Sequence, residues 1–85
     1  MSHPATLSQL FWSRGRRQFV ELTTTDAARR LSTTEELAKQ KLIKLNGLGY
    51  VDINWLKQNS QSTAIWRITT HGKNAVLEYI NGGLA

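Results

Sequence analysis

The side chains with the plainest chemistry in this 85-residue chain are its cations: eleven Lys and Arg stand against six Asp and Glu, a formal charge of +5. They come in clusters. Arg14-Gly15-Arg16-Arg17, Arg29-Arg30, and Lys39-Gln40-Lys41 with Lys44 each gather several donors in one short stretch. Guanidinium and ammonium groups grouped this way suit an anionic partner, and a small basic domain most often finds one in nucleic acid. Reaction chemistry leaves no comparable signal. There is no cysteine, which excludes disulfides, thiolate metal sites and cysteine nucleophiles. His3 and His71 have no His, Asp or Glu at metal-ligand spacing. Asp26, Asp52 and Glu78 are scattered and suggest no nucleophile–base pair. Neither an enzyme nor a metal or other cofactor is expected.

These residues must be carried by one small domain. A chain of this length buries roughly 60–65% of the surface it would expose unfolded, enough for one core and too little for a deep cleft as well. With 40% hydrophobic and 20% charged residues the composition is that of a globular domain. The expected domain is 1–85, with 1–5 and 82–85 flexible. No apolar run approaches the ~20 residues of a membrane span. The start, Met-Ser-His-Pro-Ala-Thr, lacks the basic and apolar parts of a secretory signal. A cytoplasmic protein with no membrane partner is expected.

Hydrophobic spacing places the elements. Leu7, Leu10 and Phe11 fall on one helical face within Thr6 to Arg14, with Thr6 or Ser8 as cap and Gly15 as stop. Gln18 to Thr23 reads as a short extended segment. Thr24, Thr25 or Asp26 caps a short helix through Leu31. Thr33 with Glu36 has capping-box spacing, and Thr34 is an equally good cap, for a helix in which Ala38, Leu42 and Leu45 form the buried stripe and Gly47 and Gly49 the stop. Beyond Gly49 the period becomes two. Val51, Ile53 and Trp55 alternate in one strand, and Ala64, Trp66 and Ile68 in a second; the polar tract Gln58 to Ser62 is the loop between them. Trp66 is read as core, with Trp55 packing across the hairpin from it. Thr69 or Thr70 then caps a closing helix carrying Ala75, Val76, Tyr79 and Ile80, ended by Gly82-Gly83.

Taken in order, these elements resemble the winged helix-turn-helix family of DNA-binding domains, from about Leu7 to Ile80. Three local matches carry the resemblance: Leu31-Ser32-Thr33-Thr34 as the turn of the motif, Ala38…Leu42…Leu45…Gly49-Tyr50-Val51 as recognition helix entering the first wing strand, and Trp66-Arg67-Ile68-Thr69-Thr70-His71-Gly72-Lys73 as second wing strand entering a last helix. The implied fold is α+β: a three-helix core, a β-hairpin wing and a C-terminal helix. The implied function is duplex DNA binding by a small bacterial or phage-type transcriptional regulator. The chain departs from the family pattern at Ser32, where glycine is usual, at Thr33, and at Glu35-Glu36, which set carboxylates where the recognition helix nears DNA.

On that resemblance the DNA-binding set is Thr34, Lys39, Gln40 and Lys44 on the recognition helix, Arg29 and Arg30 on the preceding helix, Arg16 and Arg17 in the early turn, and Lys57 and Arg67 on the wing. Lys41 lies nearer the core edge, and Arg30 is placed to pair with Glu35 or Glu36. Small modules of this kind read two half-sites as dimers, so a homodimer or tandem binding is expected, with Phe11 and Trp12 as the candidate surface. The alternative is a protein–protein interaction module in a nucleic-acid-processing complex, which exposure of Leu37 or Ile43 would favour.

The pattern predicts one core holding Leu31, Ala38, Leu42, Leu45, Trp66, Ile68 and Val76. Truncating Leu42 or Leu45 to Ala is expected to cost about 2–5 kcal/mol in denaturant unfolding.

Overall fold

In the computed structural model, residues 2–82 are described. They form α1 (His3–Phe11), β1 (Trp12–Ser13), β2 (Gln18–Phe19), β3 (Leu22–Thr23), α2 (Thr24–Leu31), α3 (Glu35–Gly47), β4 (Val51–Gln58), β5 (Gln61–Ile68) and α4 (Thr70–Gly82). Strands β3, β5 and β4 make one antiparallel sheet in that order, and β1 pairs with β2 in a separate ribbon. This is the winged helix-turn-helix arrangement. The expected core is present. Ala38, Leu42, Leu45, Trp66 and Val76 are buried together with Leu7, Leu10, Phe11, Leu22, Ala27, Ala28 and Val51, while Leu31 and Ile68 pack against the cluster half-buried.

Several expected boundaries move. Helix α1 begins at His3, not Thr6, because the Ser2 hydroxyl accepts from the Ala5 N–H and Pro4 sits in the first turn, where no N–H is missed. Residues 3–5, expected to be flexible, are therefore helical; Met1 and 83–85 lie outside the described residues. The helix also stops earlier, at Phe11, whose carbonyl accepts from the Val20 N–H, and Gly15 falls in the β1–β2 turn. Helix α2 is capped by Thr23 rather than by Thr24, Thr25 or Asp26. The Thr23 hydroxyl accepts from the Asp26 N–H at 3.1 Å, and the Asp26 carboxylate accepts from the Thr23 N–H at 3.3 Å. For α3 the Thr34 hydroxyl accepts from the Leu37 N–H, so Thr34 is the cap and the Thr33–Glu36 box does not form.

Both ends of the turn region are closed by the same device. Ser32 has φ +53°, and the Thr33 and Ser32 N–H groups donate to the Ala28 and Arg29 carbonyls. Gly49 has φ +83°, and the Tyr50 and Gly49 N–H groups donate to the Leu45 and Asn46 carbonyls. Both are Schellman motifs, one with serine where glycine is usual.

The wing differs most from expectation. Its strands run to the tip, leaving only Asn59-Ser60 as turn, both at positive φ (49° and 68°), as a two-residue type I′ hairpin requires. The register sets Ile53 opposite Trp66 and Trp55 opposite Ala64. Trp66 is buried, and its indole N–H donates to the Thr24 hydroxyl at 2.9 Å. Trp55, expected to pack across the hairpin from Trp66, instead stands opposite Ala64 and is 62% exposed. The hairpin outruns the helices beneath it, so residues past Ile53 have nothing to pack on. Projection of the wing makes the molecule long, 49 × 26 × 21 Å.

Gly72, at the start of α4, is buried under the β4–β5 corner. A Cβ there would collide with the Tyr50 carbonyl oxygen and come within 2.7 Å of Ile68 Cγ1. Gly72→Ala is expected to destabilise the fold by about 1–3 kcal/mol, read as a lowered thermal midpoint.

Candidate nucleic-acid interface

Helix α3 turns Ala38, Leu42 and Leu45 into the core. At 100° per residue, Glu36, Gln40, Ile43 and Gly47 then point directly away from it, with Lys39 on one flank and Lys41 and Lys44 on the other. All of these residues are exposed. Lys41 is among them, yet it lies at the core edge as expected, beside buried Leu45. Thr34 is exposed at the helix start, its hydroxyl engaged as the cap.

The carboxylates are arranged differently from the lysines. Glu35 accepts a 2.6 Å hydrogen bond from the Thr25 hydroxyl, which ties the first turns of α2 and α3 together. Among the described residues the ion pair is Arg67–Glu21, at 3.2 Å; the expected pairing of Arg30 with Glu35 or Glu36 is not made. Glu36 remains free of any cap and faces outward. Lys39, Lys41 and Lys44 thus stand on α3 without a carboxylate partner among the described residues.

The other candidates are dispersed. Arg29 and Arg30 are exposed in the last turn of α2 and line a shallow depression with Val20, Glu21, Leu22 and Asp26. Arg16 and Arg17 occupy the exposed β1–β2 turn, and Arg17 shares a surface cleft with Trp12, Leu77 and Ile80 on the α1–α4 side. Lys57 is exposed near the wing tip. Arg67 lies on the opposite wing face from Trp66 and is held by Glu21; both partners are more than half exposed, so this pair contributes at most about 1 kcal/mol. Of the sequence-derived set, the structure gathers Thr34, Lys39, Gln40 and Lys44 on one element.

Sequence reasoning missed two features. One is the exposure of apolar side chains along β4, Ile53 and Trp55 on one face and Leu56 on the other; on α3, Leu37 and Ile43 are exposed as well. The other is the contact of His3 and His71 with Tyr50, whose ring stacks on His71 at 4.7 Å and 4°. Nothing in the spacing of three residues so far apart signals it. Phe11, expected as a surface, is fully buried; Trp12 is half-buried, edge-on to Phe19 at 5.1 Å. Among the described residues no helix is long and apolar enough to cross a membrane, and no group of three potential metal ligands occurs.

No family model and no curated protein matches the chain. Among solved structures, it is similar to Bacillus subtilis PadR in complex with operator DNA, with a TM-score of 0.68 and 17% identity. The match covers 92% of this chain and 45% of the PadR chain, so the chain spans less than half the length of that protein. The likeness establishes the winged-helix fold.

Glu36 is the one acidic group on the outward centre of α3 that makes no structural bond. Glu36→Gln is expected to leave the thermal midpoint unchanged and to tighten binding to duplex DNA, measured by fluorescence anisotropy at low salt.

Proposed function

We propose that this winged-helix domain binds duplex DNA, with α3 in the major groove and the wing against the neighbouring backbone, and that it acts as a small transcriptional regulator. The observation that carries the reading is the outward face of α3: Gln40 at its centre, lysines on both flanks, and no carboxylate pairing with them among the described residues. Gln40 has the geometry to read adenine, Lys39 and Lys44 reach phosphates or guanine, and Ile43 suits a thymine methyl. Arg29, Arg30, Arg16, Arg17, Lys57 and Arg67 supply backbone contacts, Arg67 by exchanging Glu21 for phosphate. The structural likeness to a chain bound to operator DNA supports the reading. A homodimer accords with it, with the Trp12, Leu77 and Tyr79 face of α1 and α4 replacing the buried Phe11 as the candidate surface.

A second reading is favoured by one observation. Ile43 is 53% exposed on the centre of α3, and Trp55 and Leu56 are exposed on the wing. Exposed apolar side chains of this size fit a protein groove, making the domain an interaction module within a nucleic-acid-processing complex.

Salt separates the two. Binding through phosphates must weaken steeply as salt rises, while an apolar protein contact must not. Lys44→Ala is expected to weaken all duplex sequences alike and flatten the salt slope by about one unit. Gln40→Ala is expected to cost roughly 1–3 kcal/mol at one base pair and relax preference there. No duplex binding at low salt would transfer the function to a protein partner.

A further inference from the structure

One more group of hydrogen-bond donors converges beside α3. His3, at the start of α1, joins Lys41 and Lys44 in lining a cavity of about 150 Å³ with Thr6 and Leu45. Thr6 and Leu45 are buried and form its apolar and spent-polar floor, the Thr6 hydroxyl donating to the Ser2 carbonyl. The polar groups left to an occupant are one imidazole and two ammonium groups. Tyr50 lies 6.2 Å from the His3 ring and is itself held flat against His71. Among the described residues the only ion pair is elsewhere, so no carboxylate neutralises the two lysines. The cavity is well below the roughly 300–1,000 Å³ of small-molecule sites, which excludes a nucleotide or metabolite and leaves room for one tetrahedral anion.

Its position says which anion. Leu37, Lys41, Lys44 and Leu48 follow i, i+4, i+7, i+11 spacing and make up one flank of α3, to the side of the Gln40 stripe. A helix about 10–12 Å across nearly fills a major groove about 12 Å wide. With Gln40 toward the groove floor, this flank meets one phosphate wall.

We infer that the cavity takes one backbone phosphodiester of duplex DNA, held by His3, Lys41 and Lys44. The inference rests on the reading of α3 as the groove-facing helix, and it adds α1 to the interface. The His3 imidazole offers the phosphate a ring N–H as donor. The groups facing it are Lys41 and Lys44 from α3 and Tyr50 beyond it. His71 of α4 touches Tyr50 and lines no part of the cavity.

The test is the salt dependence of binding to a random-sequence duplex of about two helical turns for the wild type, Lys41→Gln, His3→Ala and His71→Ala. Lys44 serves both readings and is left intact. Circular dichroism melts confirm that each variant is folded. Lys41→Gln is expected to reduce the slope of log affinity against log salt by about 0.9, the loss of one phosphate contact. His3→Ala is expected to weaken binding several-fold, the loss of one hydrogen bond to the phosphate, and His71→Ala, outside the cavity, to bind as the wild type does. If the wild type binds with a steep salt slope but either Lys41→Gln or His3→Ala behaves as wild type, the His3–Lys41–Lys44 site is wrong and α3 in the groove stands. If the wild type fails to bind duplex at low salt, both fall together.

Discussion

The corner at Gly49-Tyr50 determines where α3 sits against the wing. Gly49 takes φ +83°, which stops α3 and turns the chain into β4. The Tyr50 N–H donates back to the Leu45 carbonyl, and the Asn46 side chain donates forward to the Val51 carbonyl at 2.6 Å. Thr69, at the end of β5, closes the corner from the other side. Its N–H donates to the Tyr50 carbonyl, its hydroxyl donates to the Gly49 carbonyl at 2.7 Å, and the same hydroxyl accepts from the Gly72 N–H to cap α4. Four elements meet within a few residues, and buried polar backbone is satisfied at each step. Because α3 is clamped here and tied to α2 at its start through Thr25–Glu35, its rotation about its own axis is fixed. That rotation puts Gln40 outward and Lys41 beside His3.

A second consequence concerns charge. Three of the six acidic side chains serve structural bonds. Asp26 completes the cap of α2, Glu35 joins two helices, and Glu21 holds Arg67. The cations of α3 are not matched in this way. Among the described residues, three of the eleven cations thus stand unpaired on one helix, and the rest of the excess is spread over the α2 end, the β1–β2 turn and the wing.

Where the pattern is local, the sequence was readable. The period-3.6 stripe of Ala38, Leu42 and Leu45 is decided by near neighbours and appears as read; the period-2 run from Val51 gives the strand β4, but only Val51 of it is buried and Ile53 is exposed. The helix-turn-helix followed from caps and stops in sequence order, with Ser32 adopting the left-handed conformation expected of glycine. Trp55 was misplaced because alternation cannot say how far a hairpin outruns the helices that cover it. The cap of α2 was misplaced because Thr23, Thr24 and Thr25 offer the same hydroxyl, and only the reciprocal bond with Asp26 selects one. His3, Lys41 and Tyr50 come together through tertiary packing, which no spacing rule encodes. The exposed face of α3 was legible in outline, since it is the complement of a buried stripe.

The account's central claim is that the outward face of α3 is the surface that meets duplex DNA. Its most direct test is a backbone-amide NMR titration of the intact chain with a random-sequence duplex at low salt. The account predicts that resonances of Gln40, Ile43, Lys44 and the wing around Lys57 move together, while those of Leu77 and Tyr79 on α4 stay in place. Movement confined to the α1–α4 face, with α3 silent, would contradict it.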